Sequence, residues 1–513
     1  MKKYRRKGTI TVFLSLISVL FLSLACTLVE SARIQGARAQ AGAITDMGLF
    51  SVFAEYEPEL LKQYGVLFLD GAYGSGEFQI DKVGARMKEF MEYNANPGKG
   101  LVTGKNFNLF PLQIKENRIN QYALATDESG GVFYQQAVTN YKENLGSELV
   151  NHFQNTQRQA REQEQAGRAY EECERELERK MEELEEEPAT ESVTESATEP
   201  IEAEQTTENE EAKGGRVNPE NPLDRIKELK KAGILGLVIK DINELSTREV
   251  VKSKLPSERI LKKGNLPVQK KQSGIVAEGL FHEYLISYFD SMPDREADAA
   301  LSYQLEYILK GKGSDRENLK SVVNQLLLMR EGTNFIYIMG NAKMRSEART
   351  LALALTTAIG MPAAAAITEA ALTLAWAYGE SLLDVRTLLA GGKVPLIKSE
   401  STWKLSLENL NRLNELLNEC DDGGGEGQSY LDYLRILLCM GEKSKYPMRA
   451  LDLIECNLRR KEETKEFWAD ACIAKTTVSV EWNLPPVFLK VPAIFLGSLN
   501  KATLYEVQGI FGY

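Results

Sequence analysis

Thr9-Ile-Thr-Val-Phe-Leu-Ser-Leu-Ile-Ser-Val-Leu-Phe-Leu-Ser-Leu-Ala-Cys-Thr-Leu-Val29 is a run of 21 residues without a charge. As a helix it is about 31 Å long, which matches the apolar core of a bilayer. Residues 1–8 carry five positive charges ahead of it, a cluster that stays on the cytoplasmic side. Behind it, Arg33 and Arg38 are offset by Glu30 and Asp46, so the charge asymmetry places the body of the chain outside. A cleaved secretory signal and a lipid-modified Cys26 fit less well. The run exceeds the apolar region of a signal, and Ser23 stands where a lipoprotein box carries leucine. The first proline is Pro58, so the helical pattern continues well past Val29. Small residues recur at four-residue spacing, as Ala32/Gly36, Ala37/Ala41 and Ala39/Ala43, which permits close helix approach. The expectation is one long helix, half in the membrane and half docked on a sheet or on neighbouring subunits.

The stretch Lys7-Gly8-Thr9 through Glu30-Ser31-Ala32-Arg33, then Gln40-Ala41-Gly42-Ala43, resembles the start of tight-adherence (Tad/Flp) pilus minor pilins and pseudopilins. In those proteins a basic leader ends in glycine and prepilin peptidase cuts after it. The resemblance implies cleavage between Gly8 and Thr9, although Phe13 stands where many pilins carry a glutamate.

The chain has 513 residues, 43% of them apolar and 26% charged, which is ordinary globular usage. Its formal net charge of −11 argues against a nucleic-acid partner held by phosphate neutralisation. From Glu182 to Glu211 there are 13 glutamates and no lysine or arginine. Without those glutamates the formal charge of −11 becomes +2, so the acidity belongs to this segment rather than to a folded surface. Such composition predicts a disordered linker.

These shifts divide the chain into a cytoplasmic leader (1–8), a transmembrane helix (9–29), a pilin-like helix with the first strands (30–150), a charged helix (151–184), the acidic linker (185–222), a basic irregular segment (223–272), a helical domain (273–470) and C-terminal strands (471–513). Val66–Leu69 reads as a short buried strand, and residues 108–138 as one or two strands with a helix from about Gln135. Heptad-like spacing of Tyr170, Cys173, Leu177, Met181 and Leu184 supports a charged helix but is too short for a coiled coil. Helices are expected around 274–292, 296–311, 315–330, 344–359, 363–378, 380–390, 404–420, 428–441 and 447–467. The apolar stretch 351–378 reads as two packed helices rather than a second span, because Pro362 and Glu369 interrupt it. Residues 476–482 and 502–507 read as strands that pair with the early ones on the long N-terminal helix. The fold class is therefore α+β, mainly α, with a small antiparallel sheet and a large helical insertion.

No catalytic constellation stands out. The glycines around Gly71, Gly74 and Gly76 miss the dinucleotide fingerprint, and those at Gly98, Gly100 and Gly104 miss the P-loop spacing. His282-Glu283 lacks a second histidine four residues on, so the zinc-protease pattern fails. Nothing asks for a metal or a cofactor. Cys420, Cys439, Cys456 and Cys472 are open to pairing or to remaining as thiols. The basic residues of 251–273, including Lys252, Arg259 and Lys262, suit either an anionic partner or a solvated loop. Glu380 and Asp384 share one helix face, where they repel by a few tenths of a kcal/mol. Buried carboxylates need partners, and Arg330, Arg386 or Lys312 are within reach as a buried polar network that also includes Glu306. Paired carboxylates also suit acid–base hydrolysis of a glycan.

Leu305-Glu306-Tyr307, Gly311-Lys312-Gly313-Ser314-Asp315, Arg330-Glu331 with Asn334, Ala375-Trp376-Ala377-Tyr378-Gly379-Glu380-Ser381, Asp384-Val385-Arg386 and Gly392-Lys393-Val394-Pro395-Leu396 resemble an uncharacterised family of Gram-positive membrane-anchored proteins. That resemblance implies an envelope protein associated with tight-adherence pilus systems, with membrane lipid and other pilus or envelope proteins as partners. It carries no known activity. The expected function is non-catalytic, with an extracellular sensing module or a wall-polymer hydrolase as alternatives.

Overall fold

A computed structural model describes residues 7–95, 109–143, 148–186, 229, 233–268, 274–292, 299–419, 425–490 and 502–513. The first six leader residues, most of the acidic linker, Cys420 and the glycines 98, 100 and 104 lie outside the described residues. In chain order the elements are α1 (Lys7–Phe53), α2 (Pro58–Tyr64), β1 (Leu69–Asp70), α3 (Ile80–Ala95), β2 (Gln113–Leu124), α4 (Asp127–Glu143), α5 (Glu148–Glu186) and α6 (Ile234–Val238). They continue with α7 (Ile275–Tyr288), α8 (Gln304–Lys310), α9 (Asp315–Gly340), α10 (Ala342–Ala358), α11 (Ala365–Leu389), α12 (Leu413–Glu419), α13 (Tyr430–Met440), α14 (Tyr446–Leu458), β3 (Cys472–Leu484) and β4 (Thr503–Gly512). The fold is α+β and mainly α.

Two compact units emerge, and neither is a continuous piece of chain. Unit 1 comprises residues 1–147, 251–288 and 444–513, and unit 2 comprises 148–250 and 289–443. The helical block expected at 273–470 is therefore divided, because α7 and α14 belong with the sheet.

In unit 1, β3 is the central strand of an antiparallel sheet. It pairs with β2 along one edge and with β4 along the other, and β1 meets it at Leu69↔Ile473 and Asp70↔Cys472. The early and late strands thus share one sheet. Alternation along β3 sends Val478, Val480, Trp482 and Leu484 into the core, against Ala37, Ala41, Ile44, Leu49 and Val52 of α1. Two polar contacts fix the helix on the strands. Trp482 Nε1 donates to Thr45 Oγ1 at 3.2 Å, and Tyr505 Oη donates to the Ala37 carbonyl at 3.2 Å. Gly509 lets the helix sit close to the strand, since a Cβ on it would lie 2.7 Å from Leu49 Cδ1 and push that side chain aside.

The first half of α1 has a different surface. An 18-residue window has mean hydropathy 2.6 and none of it is buried, which is long and apolar enough to cross a membrane. Ser15, Ser23 and Thr27 donate their hydroxyls to carbonyls three residues back, so these polar groups are satisfied within the helix. At the junction, Glu30 and Arg33 are buried and form a 2.5 Å ion pair. Glu30 accepts the amides of Val487 and Phe488, and Arg33 donates to the carbonyls of Leu109 and Pro485.

Val132, Phe133 and Tyr134 were expected in a strand but lie in α4, whose start carries Glu128, Ser129 and Gly130 at positive φ. That left-handed corner turns the chain straight from β2 into a helix. The expected helices at 363–378 and 380–390 are a single α11. Gly379 does not break it; its missing side chain makes room for Leu405, whose Cδ2 would lie 2.6 Å from a Cβ there. The expected helix at 296–311 is reduced to the short α8.

Unit 2 is built on α9 and α11, which pack along each other with α5 beside α9. The charged helix is longer than expected. Its buried seam is Phe153, Thr156, Ala160, Gln163, Ala166 and Tyr170, whereas Leu177 and Met181 further along are not buried. The chain between residues 350 and 378 is not one apolar span: α11 is wholly buried from Leu372 to Leu389, while its first turns and the end of α10 are largely open.

Candidate functional site

The charged groups that the sequence places on α9 and α11 meet in the middle of unit 2. Arg330 and Asn334 lie one turn apart on α9, and Glu380, Ser381 and Asp384 share a face of α11. Arg330 Nε donates to Asp384 Oδ2 at 3.0 Å and its Nη2 lies 2.9 Å from the same oxygen. Asn334 Nδ2 donates to Asp384 Oδ2 and to Ser381 Oγ. Lys398 bridges the two carboxylates, with Nζ 2.6 Å from both Glu380 Oε1 and Asp384 Oδ1. All four charged side chains are nearly or fully excluded from solvent. Two cations face two anions, so the site is neutral as a whole.

The remaining valences hold the loop after α11. Arg330 Nη1 donates to the carbonyls of Pro395 and Leu396 and to Tyr433 Oη, each at about 3 Å. Glu380 accepts the amides of Lys404 and Leu405, and Trp376 Nε1 donates to the Leu405 carbonyl. The network therefore supplies donors and acceptors to a segment without regular ladders of its own.

The two carboxylates respond oppositely to this setting. Burial pushes Asp384 up, but the Arg330 and Lys398 charges outweigh it and hold its carboxyl below the usual range. Burial also raises Glu380, and the neighbouring Asp384 charge adds to the rise. Both are sealed from solvent and committed to cations, so neither faces a surface at which a glycan could dock.

Of the six residues expected in a buried network, Arg330, Glu380 and Asp384 converge here. Arg386 is buried elsewhere on α11 and donates to the Leu237 carbonyl. Lys312 is exposed, and it is its backbone amide and carbonyl that Asn318 engages. Glu306 lies on α8, where its Oε1 accepts Tyr430 Oη at 2.8 Å and the Met292 amide at 3.0 Å. The cation that sequence reasoning missed is Lys398. It lies in an aperiodic segment beyond Gly391-Gly392, so no helical spacing signals its inward path.

Burial lifts Glu306 to about 7 despite its two hydrogen bonds. Its folded value exceeds the unfolded one, so its favourable contribution is complete below the unfolded value and is lost as pH rises through 7. Glu306→Gln keeps an acceptor for both donors. It is expected to leave stability unchanged at pH 4 and to raise it by about 2 kcal/mol at pH 8, read as a loss of the wild-type pH slope in chemical unfolding.

In unit 1 the expected basic patch is only partly a surface. Arg259 is drawn inward to Glu455 and Asp470, at 2.5 and 2.7 Å, and packs over Trp468 with Arg459 close on the same ring. Gly264 and Asn265 dock their backbone on Asp127 and on the edge of β2. His282 is buried beside Tyr446. Cys26, Cys173, Cys456 and Cys472 are free thiols. A shallow depression of about 470 Å³ near Tyr73 is lined by Arg86, which pairs with Glu55 and Glu89. Among the described residues no group of three acidic, histidine or cysteine side chains is placed to hold a metal ion.

Residues 212–484 match a family of unknown function (DUF5702), which is more than half of the chain. The chain belongs to this family. The DUF5702 region contains the whole Arg330–Asp384–Lys398–Glu380 network, together with α7, α14 and β3, and it begins well after α1. No curated protein and no solved structure matches the chain significantly.

Proposed function

We propose that this protein is a non-catalytic, single-pass component of the cell envelope, a pilin-like or assembly subunit of a tight-adherence pilus or a related surface apparatus. The observation that carries the reading is the two-part character of α1. One helix of 47 residues presents an uncovered apolar surface in its first half and docks on an antiparallel sheet in its second. The five cations ahead of it favour a cytoplasmic N-terminus and an external body. Ala37 and Ala41 are used up against the protein's own sheet, whereas Ala32, Ala39 and Ala43 remain exposed on the helix, where a neighbouring subunit's helix can approach closely. A sensing or hydrolytic reading would draw support from Glu306, Arg330, Glu380 and Asp384 converging at an open pocket; all four are buried and Glu306 stands apart.

Co-purification of the full chain from native membranes tests the proposal. Pilus-machinery subunits are expected to come with it, and their complete absence would overturn the assignment. N-terminal sequencing of the same sample is expected to begin at Thr9 if the leader is processed as in minor pilins.

A further inference from the structure

The hairpin formed by α10 and α11 ends in an apolar tip that the fold leaves open. From Thr350 to Thr368 there are 19 residues without a charge. Ala352, Leu355 and Leu372 zip the two arms together as a small core of their own. Beyond that core the side chains turn outward, Ile359 being 70% exposed and Met361 55%, and Leu353 beside it is 46% exposed. The turn itself is well formed. Gly360 adopts φ +76°, the Gly360 amide donates to the Thr357 carbonyl and the Met361 amide to the Thr356 carbonyl, a Schellman closure. Pro362 then opens the next turn. An ordered apolar tip of this kind exposes surface that a soluble chain normally covers.

We infer that this tip inserts into the headgroup and acyl boundary of an anionic phospholipid membrane, as a contact separate from α1. Three features select lipid as the occupant. Thr350, Thr356 and Thr357 donate their hydroxyls to carbonyls four residues back, so these three hydroxyls near the tip are satisfied without water. The first turns of α10 carry Lys343, Arg345 and Arg349, all exposed, against Glu347 on the same helix and the partly exposed Glu369 on the facing arm. Arg349 lies about 16 Å along the helix from Gly360, so a tip seated at the headgroup and acyl boundary leaves the basic residues at the headgroups and just above them. An apolar end with a basic collar at that distance suits acyl chains below and anionic headgroups above. A protein groove would account for the apolar end but gives no reason for the collar at that distance.

The inference rests on the reading that α1 anchors the chain, which keeps the hairpin at high local concentration near lipid. The test places a benzophenone amino acid at Ile359 of the full chain, reconstituted in vesicles of mixed neutral and anionic phospholipid. Glu400, an exposed residue of the same unit, serves as the control site. Lipid adducts are expected at Ile359 and only at background level at Glu400. The triple variant Lys343→Gln, Arg345→Gln, Arg349→Gln is expected to lower the Ile359 adducts about fivefold or more, and purely neutral vesicles to do the same. Adducts to a second copy or another protein, or lipid adducts no more frequent than at Glu400, would overturn the inference. Release of the whole chain from the vesicles would instead count against the α1 anchor.

Discussion

Asp384→Ala is expected to destabilise unit 2 by about 3–5 kcal/mol, the cost of leaving buried charges without a partner. The site now balances Arg330 and Lys398 against Glu380 and Asp384. Removing Asp384 leaves two cations and one anion with no exposure to water, and strips the acceptor from Asn334 and from two nitrogens of Arg330. A domain holds about 5–15 kcal/mol in total, so the loss is a large share of it. Trp376 and Trp403, which pack on each other beside the network, report the change through fluorescence during chemical unfolding of the detergent-solubilised chain. The paired variant Arg330→Met with Asp384→Leu restores the charge balance, because Lys398 still faces Glu380. It is expected to recover part of the loss. Recovery is incomplete because the carbonyls of Pro395 and Leu396 lose their donor, at about 1–3 kcal/mol for a buried group left unpaired. If Asp384→Ala unfolds at the wild-type midpoint, the network does not hold the loop to the helices.

This site was half legible before the structure. Glu380 and Asp384 are four apart, as are Arg330 and Asn334, and helical spacing turns each pair toward one neighbour. Lys312 and Lys398 look alike as candidate counter-ions, since both lie in segments between helices. Only the three-dimensional path of the chain separates them, carrying Lys398 back over α11 and leaving Lys312 at the surface. The same limit applies to the sheet. Alternation in residues 476–482 marks β3, yet nothing local says that α7 and α14 pack on α4, in the same unit as the sheet, while α9 and α11 belong to the other unit. Gly379 and Gly332 carry the opposite lesson: a glycine inside a helical pattern reads as a weak point, and in both places it is a contact.

Gly332→Ala is the second large effect expected, and its sign opposes helix propensity. An alanine in the interior of α9 would ordinarily gain about 1 kcal/mol over glycine. Here a Cβ would lie 2.4–2.5 Å from the backbone of Ala166 and Gly167 on α5. Those atoms are main chain, so no side-chain rotation relieves the overlap and the helices must separate. Separation opens the seam of Ala160, Gln163, Ala166 and Tyr170 and lowers contact along its length. Overpacking of this kind costs about 1–3 kcal/mol for small groups, enough to cancel the propensity gain and leave the variant less stable by up to about 2 kcal/mol. Gly340→Ala at the end of the same helix is the matched control, because nothing lies within 4 Å of its Cβ position. It is expected to unfold at or slightly above the wild-type midpoint. Gly332→Val should fall further than Gly332→Ala, since two more carbons must pass between backbones already in contact. Equal midpoints for Gly332→Ala and Gly340→Ala would mean that α5 does not pack on α9 as closely as these glycines require.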